Sequence, residues 1–164
     1  MVPLSTVLSM EMETDFLIIG SGIAGLTFAL KVAEFGDVAL VTKKGIMDSN
    51  TSHAQGGIAS VFGKLDSFDL HIQDTLDSGD GLCNRDVVEM VVKNGPDRIR
   101  ELIDLGVHFN LRADQLSSPE LPDGEPDLDL GREGGHSQKR IVHSHDMTGK
   151  EVESVLVEHV KNNP

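Results

Sequence analysis

Two glycine-rich loops carry the residue types and spacings that could do chemistry in this chain. The first is Gly20-Ser21-Gly22-Ile23-Ala24-Gly25, and the second is Asn50-Thr51-Ser52-His53-Ala54-Gln55-Gly56-Gly57. In the first loop, Gly20 permits a tight turn, Gly22 lets the backbone approach a pyrophosphate, and Gly25 lets the following helix pack closely. The N-terminus of that helix offers free N–H groups and a partial positive charge to phosphates. This loop therefore predicts a dinucleotide-phosphate site.

The segments around the first loop have the pattern that such a site requires. Asp15 to Ile19 is a short apolar run typical of a parallel strand buried on both faces. A helix is predicted from about Gly22 to Phe35, and Val38 to Thr42 forms a second strand. The second glycine loop begins eight residues after that strand. This order predicts an α/β, Rossmann-like fold, and we interpret the two loops as a flavin site.

One element of the dinucleotide fingerprint is missing. An acidic residue at the end of the second strand would hydrogen-bond a ribose. Here that strand ends in Thr42-Lys43-Lys44, and the nearby acid, Asp37, precedes the strand. A lysine at this position is either a solvated surface charge or a cofactor contact. The difference argues against a standard nicotinamide site and leaves open a flavin enzyme with other ribose contacts.

Composition excludes several classes of function. The chain has 164 residues, the length of one ordinary domain, and its net charge of −13 argues against a nucleic-acid surface. Cys83 is the only cysteine, which favours a reducing compartment and a packed thiol. No apolar stretch approaches the length of a membrane span, and residues 1–12 lack the features of a signal peptide. We expect a soluble, cytoplasmic protein without nucleic-acid or membrane partners.

Helices are predicted at 67–79, 86–93 and 96–106, the last two separated by Asn94-Gly95-Pro96. Residues 140–144 resemble a strand, and Thr148 and Glu151 have the spacing of a capping box for the last helix.

No metal site is predicted. His143 and His145 lie two apart on the expected strand, beside Asp146, but further ligands at a characteristic spacing are lacking. The acidic segment 119–129 lacks the spaced ligands of a calcium loop, so we interpret it as a solvated loop.

A third glycine-rich loop, residues 131–137, surrounds Arg132, Glu133 and His136 with three glycines and suits close approach of a ligand. Together, the motifs GSGIAGL, SNTSHAQGGIAS and LGREGGHSQKRIVHSHDMTGKEVE resemble the N-terminal part of the L-aspartate oxidases. These enzymes belong to the succinate dehydrogenase and fumarate reductase flavoprotein group. The first two motifs are shared across that group, and the third points to the aspartate oxidases. The resemblance implies that residues 13–164, after an extension of residues 1–12, are the N-terminal part of an FAD-binding domain.

The resemblance also implies which residues contact FAD. They are Gly20, Ser21, Gly22, Ile23, Ala24 and Gly25 at the pyrophosphate turn, Lys43 after the second strand, and Asn50, Thr51, Ser52, His53, Ala54, Gln55, Gly56 and Gly57 along the isoalloxazine and phosphates. In related succinate dehydrogenases and fumarate reductases, a histidine at the position of Asn50 is commonly bonded to the flavin. Asparagine cannot form that bond, so the expected FAD is non-covalent, and His53 is not the linking residue.

The implied reaction is oxidation of L-aspartate to iminoaspartate, in quinolinate and NAD biosynthesis. Oxygen or fumarate would reoxidise the flavin, and quinolinate synthase is an expected recipient of iminoaspartate. Glu133 is expected near the substrate, as a partner of its ammonium group; the alternative is a solvated surface acid.

In the family, the capping domain, the helical C-terminal domain and the arginines that bind the substrate's carboxylates come from later segments. We therefore expect this chain to be a truncated form of an aspartate oxidase. One alternative is a soluble flavoprotein similar to fumarate reductase or succinate dehydrogenase, against which Asn50 and the REGGHS loop argue. A non-catalytic FAD-binding fragment is the other.

Overall fold

A computed structural model describes residues 11–112, 126–145 and 147–163. Most of the acidic segment 119–129, most of the N-terminal extension and Asp146 lie outside the described residues. The elements in chain order are β1 (Phe16–Ile19), α1 (Ile23–Val32), β2 (Val38–Val41), β3 (Ile58–Ala59), α2 (Phe68–Ser78), α3 (Arg85–Asp104), β4 (Leu130–Gly131), β5 (Ile141–Val142) and α4 (Thr148–Asn162). None of the described helices is long and apolar enough to cross a membrane.

The first three elements form the predicted parallel unit. β1 pairs with β2 in parallel, from Phe16 opposite Val38 to Ile19 opposite Val41, and α1 connects them. One face of β1 packs on α1 through Ile18, which is buried with Ala29 and Val32. The opposite face is open, since Ile19 is 84% exposed. The expectation that β1 is buried on both faces is therefore wrong for the described residues.

A second sheet joins the last two glycine loops. β5 lies between β3 and β4 and pairs antiparallel with each of them. β5 corresponds to the strand predicted at 140–144, but the antiparallel sheet around it was not predicted. Because β3 directly follows the second glycine loop and β4 begins the third, β5 sets the distance between the two loops.

The predicted break at Asn94-Gly95-Pro96 is wrong, because α3 runs through it from Arg85 to Asp104. Pro96 is buried inside this helix, and Asn94 donates a side-chain hydrogen bond to Met90 O one turn back, at 2.7 Å. At Gly95, a Cβ would lie 3.0 Å from Ser60 Oγ, so glycine lets the helix approach the segment after β3. Tertiary packing of α3 thus outweighs the local helix-breaking tendency of these residues.

α4 closes the core. Its buried residues pack against α1, α3 and the second sheet in one cluster, which consists of Leu26, Ile99, Leu102, Val107, Phe109, Leu128, Leu130, Val142, Val152, Leu156 and Val157. The spacing of Val152 and Leu156 puts both on one face of the helix. This face fixes the position of the N-terminal turn of α4 relative to the glycine loops.

The predicted capping box at the start of α4 is wrong. Thr148 is the first helical residue, and Met147 before it makes no side-chain capping bond. The Thr148 hydroxyl accepts from Ser144 N at 3.0 Å and donates to Gly56 O at 3.2 Å, while Glu151 accepts from His108 N at 3.2 Å. Both side chains bind other segments: Thr148 binds the second glycine loop, and Glu151 binds the segment that follows α3.

Candidate functional site

The first glycine loop has the backbone of a tight turn between β1 and α1. Gly20 has φ of +110°, a conformation that side chains with a Cβ rarely adopt. A Cβ on Gly25 would collide with the carbonyl oxygen of Gly20, so helix and turn approach each other as the sequence pattern predicts. Gly22 is the extended residue before the helix, and its carbonyl oxygen accepts the first helical hydrogen bond, from Leu26 N at 3.0 Å.

The second glycine loop is hydrogen-bonded to the first. Thr51 Oγ1 accepts from the backbone N–H of Ile23 at 3.0 Å, and Ser49 Oγ accepts from Thr51 N at 3.0 Å. A Cβ on Gly22 would lie 3.2 Å from Thr51 Oγ1. The two loops therefore form one continuous surface, although 28 residues separate Ile23 from Thr51.

A cavity of about 560 Å³ lies where these loops meet the ends of β1 and β2. It is lined by Ile19, Gly20, Ser21, Gly22, Val41, Thr42, Lys43, Asp48, Ser49, Asn50 and Thr51. Ser21 is buried and donates to Thr42 Oγ1 at 3.1 Å, which ties the turn to the end of β2. The cavity thus combines the backbone of the Gly20–Gly22 turn, just before the N-terminus of α1, with the cationic side chain of Lys43, an arrangement suited to phosphate groups.

The first turn of α4 holds the middle of the second loop. Gly149 N donates to Ala54 O at 3.0 Å, and a Cβ on Gly149 would collide with the carbonyl oxygen of Thr51. With the bond from Thr148 to Gly56 O, these contacts fix the loop backbone from residue 51 to residue 56. The loop conformation is therefore set by a helix about 100 residues later in the chain.

A second cavity, of about 630 Å³, lies at the far end of the same loop. Its lining consists of Gln55, Gly56, Gly131, Arg132, Glu133, Ile141, His143 and His145. A Cβ on Gly56 would lie 2.7 Å from Glu133 Oε1, so the glycine makes room for this carboxyl group. Residues of the second and third glycine loops lie side by side in this cavity. A carboxylate, a guanidinium and two imidazoles surround a space large enough for a small polar ligand.

Comparisons with known proteins agree with this geometry. Residues 15–164 match the FAD binding domain family. The chain belongs to the FAD binding domain family. It is similar to L-aspartate oxidase 2-b, chloroplastic, of Nicotiana tabacum, at 49% identity over 92% of this chain and 22% of that protein. The L-aspartate oxidase of Yersinia pestis is 44% identical over 95% of this chain and 28% of its own length.

A solved structure extends the comparison to the fold. The E. coli quinol fumarate reductase FrdA matches with a TM-score of 0.79 and 32% identity, over 93% of this chain and 25% of that one. The chain thus spans about a quarter of the length of the relatives it matches. The predicted flavoprotein group and its FAD-binding fold are confirmed, and the cofactor is FAD.

Eight of the fifteen predicted FAD residues line one of the two cavities, and the other seven line neither. Gly20, Ser21, Gly22, Lys43, Asn50 and Thr51 line the first cavity, and Gln55 and Gly56 line the second. Ile23 joins the first loop to the second through the hydrogen bond from its backbone N–H to Thr51, and Gly25 allows the helix to approach the turn at Gly20. Ser52 is buried and donates to Ser49 O at 2.9 Å, so its side chain shapes the loop, while His53 is exposed. Ala24, Ala54 and Gly57 line neither cavity among the described residues.

Asn110, which the sequence did not single out, orients His143 in the second cavity. Asn110 Oδ1 accepts from His145 N at 3.2 Å, so the amide group of Asn110 faces His143 Nδ1, also at 3.2 Å. Since an amide nitrogen donates, His143 Nδ1 accepts and a neutral His143 carries its proton on Nε2. His145 has a positive φ of 44° and lies after β5, not on a strand, and the described residues include no group of three side chains that could hold a metal ion.

A buried ion cluster behind the third glycine loop was missed from the sequence. Arg140 is fully buried and donates to both carboxylate oxygens of Asp66, at 2.9 and 2.8 Å, and to Asp74 at 2.7 Å. Ser137 N and Oγ also donate to Asp74, each at 2.8 Å. The cluster fixes the third loop on α2, and an arginine next to an apolar pair, Ile141-Val142, was the one signal of it in the sequence.

The charges of this cluster shift the pKa of two neighbours. Burial acts to raise the pKa of Asp74, but hydrogen bonds from Ser137 and Arg140 outweigh it and hold the pKa below its ordinary value of 3.8. Burial lowers the pKa of His71 below 6.5, and the positive charge of Arg140 and the neighbouring His136 lower it further, while Asp66 and Asp74 act in the opposite direction. The folded protein therefore favours neutral His71 and ionised Asp74.

We predict that the free energy of unfolding falls less on mild acidification in His71→Leu than in the wild type. Below pH 6.5, His71 is protonated in the unfolded chain but stays neutral in the folded chain, because folding lowers its pKa. Acidification therefore stabilises the unfolded chain, so the folded protein loses stability as the pH falls below 6.5. The measurement is the free energy of unfolding in urea at pH 7.5 and 5.5, with His53→Asn, at an exposed position, as the control. An equal loss in His71→Leu and the wild type would contradict the prediction.

Proposed function

We propose that this chain is the N-terminal part of an FAD-dependent enzyme that oxidises L-aspartate to iminoaspartate in quinolinate and NAD biosynthesis. The observation that carries the proposal is the Glu133 carboxyl group, which lies against Gly56 in the second cavity, at the end of the loop that begins at the phosphate-binding turn. The similarity to L-aspartate oxidases over more than nine-tenths of this chain supports it. Because the chain spans about a quarter of those proteins, the activity belongs to the longer enzyme.

The two cavities suggest how FAD and substrate would be arranged. The first cavity would hold the phosphates, against the Gly20–Gly22 turn and near Lys43, and the loop from Asn50 to Gly57 would lie along the rest of the cofactor. Bound FAD supplies the electron acceptor for the oxidation. The substrate would then occupy the second cavity, where the loop ends.

The residues of the second cavity match the polar groups of aspartate. Oxidation of the amine to a protonated imine removes a hydride from Cα, which bound FAD would accept, and one proton from the ammonium nitrogen, which would pass to solvent. The ammonium group must therefore be held in a fixed position. The carboxylate of Glu133 would accept its hydrogen bond, and Arg132 and His143 in the same lining would offer donors to a substrate carboxylate. Exclusion of water and further carboxylate binding would come from the longer enzyme.

The proposed FAD is non-covalent, because the asparagine at position 50 has no nucleophilic nitrogen that could bond to the flavin. We expect acid precipitation of the FAD-loaded protein to release the flavin into the supernatant, as measured by its absorbance. Flavin that stays in the pellet would contradict the proposal. Under the same proposal, oxygen or fumarate reoxidises the flavin, iminoaspartate passes to quinolinate synthase, and the enzyme is cytoplasmic; the tobacco relative is named chloroplastic.

A soluble enzyme similar to fumarate reductase is the second candidate, and the 32% identity to the fumarate reductase structure favours it. The two differ in their need for Glu133, since succinate and fumarate carry no ammonium group. The non-catalytic alternative, a fragment that binds FAD without turnover, applies to the chain on its own.

We predict that Glu133→Gln lowers kcat/KM for aspartate by about 10- to 100-fold, because a charge-assisted hydrogen bond contributes about 1.5–3 kcal/mol. The test is a chimera in which this chain replaces the matching segment of the Yersinia pestis L-aspartate oxidase. Fumarate reduction by the same variant should change much less, and Glu158→Gln, on the exposed face of α4, serves as the matched control.

Equal losses with aspartate and fumarate would make Glu133 a structural residue. A wild-type chimera that binds FAD but does not oxidise aspartate would contradict the proposed substrate.

A further inference from the structure

Glu153 is a fully buried carboxylic residue on the inner face of α4. Its Oε1 accepts from Ser49 Oγ at 2.5 Å, across 104 residues of sequence. Its other oxygen, Oε2, has no hydrogen-bond partner among the described residues. A buried polar atom without a partner destabilises a fold, and a leucine of similar size would fill the same space without that cost. Packing alone therefore does not account for a glutamate at this position.

The bond to Glu153 determines what the Ser49 hydroxyl can do. A hydroxyl group has one hydrogen to donate and lone pairs to accept. Because the hydrogen is directed to Glu153, the lone pairs face the backbone amides of Thr51 and Ser52, which donate to Ser49 Oγ at 3.0 and 3.4 Å. The carboxyl group of Glu153 thus sets the direction of the hydroxyl that shapes the start of the second glycine loop.

The next contact reaches the phosphate-binding turn. Thr51 Oγ1 accepts from Ile23 N, the first amide of α1, at 3.0 Å. Glu153, Ser49 and Thr51 therefore form a hydrogen-bonded series from the middle of α4 to the N-terminus of α1. We propose that Glu153 is a positioning residue for FAD, which acts through Ser49 and Thr51 to hold the two glycine loops in the conformation that receives the phosphates.

This inference rests on FAD binding at the first cavity and does not depend on the substrate. If Glu153 positions the loops, its replacement should loosen them without lowering thermal stability, whereas loss of a purely structural residue would lower the stability. Replacement by leucine removes a buried oxygen that has no partner, so thermal stability should not fall, yet the loops should lose their fixed conformation. Ser49 is partly exposed and can form a hydrogen bond to water in that variant.

The test compares Glu153→Leu, Glu153→Gln and Ser49→Ala with the wild-type chain and with Glu158→Leu, at an exposed position of the same helix. Three quantities are measured: the Tm, amide hydrogen exchange in the FAD-free chain, and the FAD dissociation constant from flavin fluorescence. In Glu153→Leu and Ser49→Ala we expect exchange at Thr51 and Ile23 to rise about tenfold and FAD affinity to fall about tenfold. The Tm of Glu153→Leu should equal or exceed that of the wild type.

Glu153→Gln should retain wild-type exchange and affinity, because its amide oxygen still accepts from Ser49. Unchanged exchange at Thr51 in Glu153→Leu would overturn the proposal, and so would a fall in Tm with loss of protection throughout the core. A glutamine variant that behaves like the leucine variant would also overturn it. If Glu153→Leu does not fold, Ser49→Ala decides by the same criteria, and the exchange readout decides even where FAD does not bind.

Discussion

The contact between the first turn of α4 and the backbone of residues 51–56 positions the loop that both cavities share. Gly149 allows it because a Cβ there would collide with the Thr51 carbonyl, and hydrogen bonds from Thr148 and Gly149 reach Gly56 and Ala54. Since the same loop bonds to the first amide of α1 and borders both cavities, its conformation determines where phosphates and substrate can lie. α4 itself is held in place by its hydrophobic face, which packs in the core. The same packing therefore stabilises both the fold and the site.

The second cavity depends on an electrostatic contact on the far side of the third loop. A buried guanidinium is costly unless its charge is paired, and Arg140 meets two carboxylates, Asp66 and Asp74, in good geometry. Asp74 also receives two bonds from Ser137, which ends the loop that carries Glu133. In a chain with a net charge of −13, these two carboxylates are used internally, and Glu133 remains directed to the cavity.

The sequence predicted what depends on local residue types. The turn from Gly20 to Gly25 follows from glycine conformations and from strand and helix patterns within about 25 residues, and the structure reproduces it. The break at Pro96 and the capping box at Thr148 failed because tertiary contacts, with Ser60 and with Gly56, override local preferences. Arg140 and Glu153 were missed because their partners lie 66 to 104 residues away, where no periodicity in the sequence can indicate them. The sequence did not predict the open face of β1 either, because the residues on that face are as apolar as the buried ones.

The FAD dissociation constant of Gly149→Ala, from a flavin fluorescence titration, tests the central claim most directly. Within a helix, alanine in place of glycine would ordinarily stabilise by about 1 kcal/mol. Here the added Cβ must displace the Thr51 carbonyl, so we expect affinity to fall about tenfold or more. Gly45→Ala, where a Cβ would have no neighbour within 4 Å, should bind FAD as the wild type does. A Gly149→Ala variant with wild-type affinity, or a wild-type chain that does not bind FAD, would contradict the account.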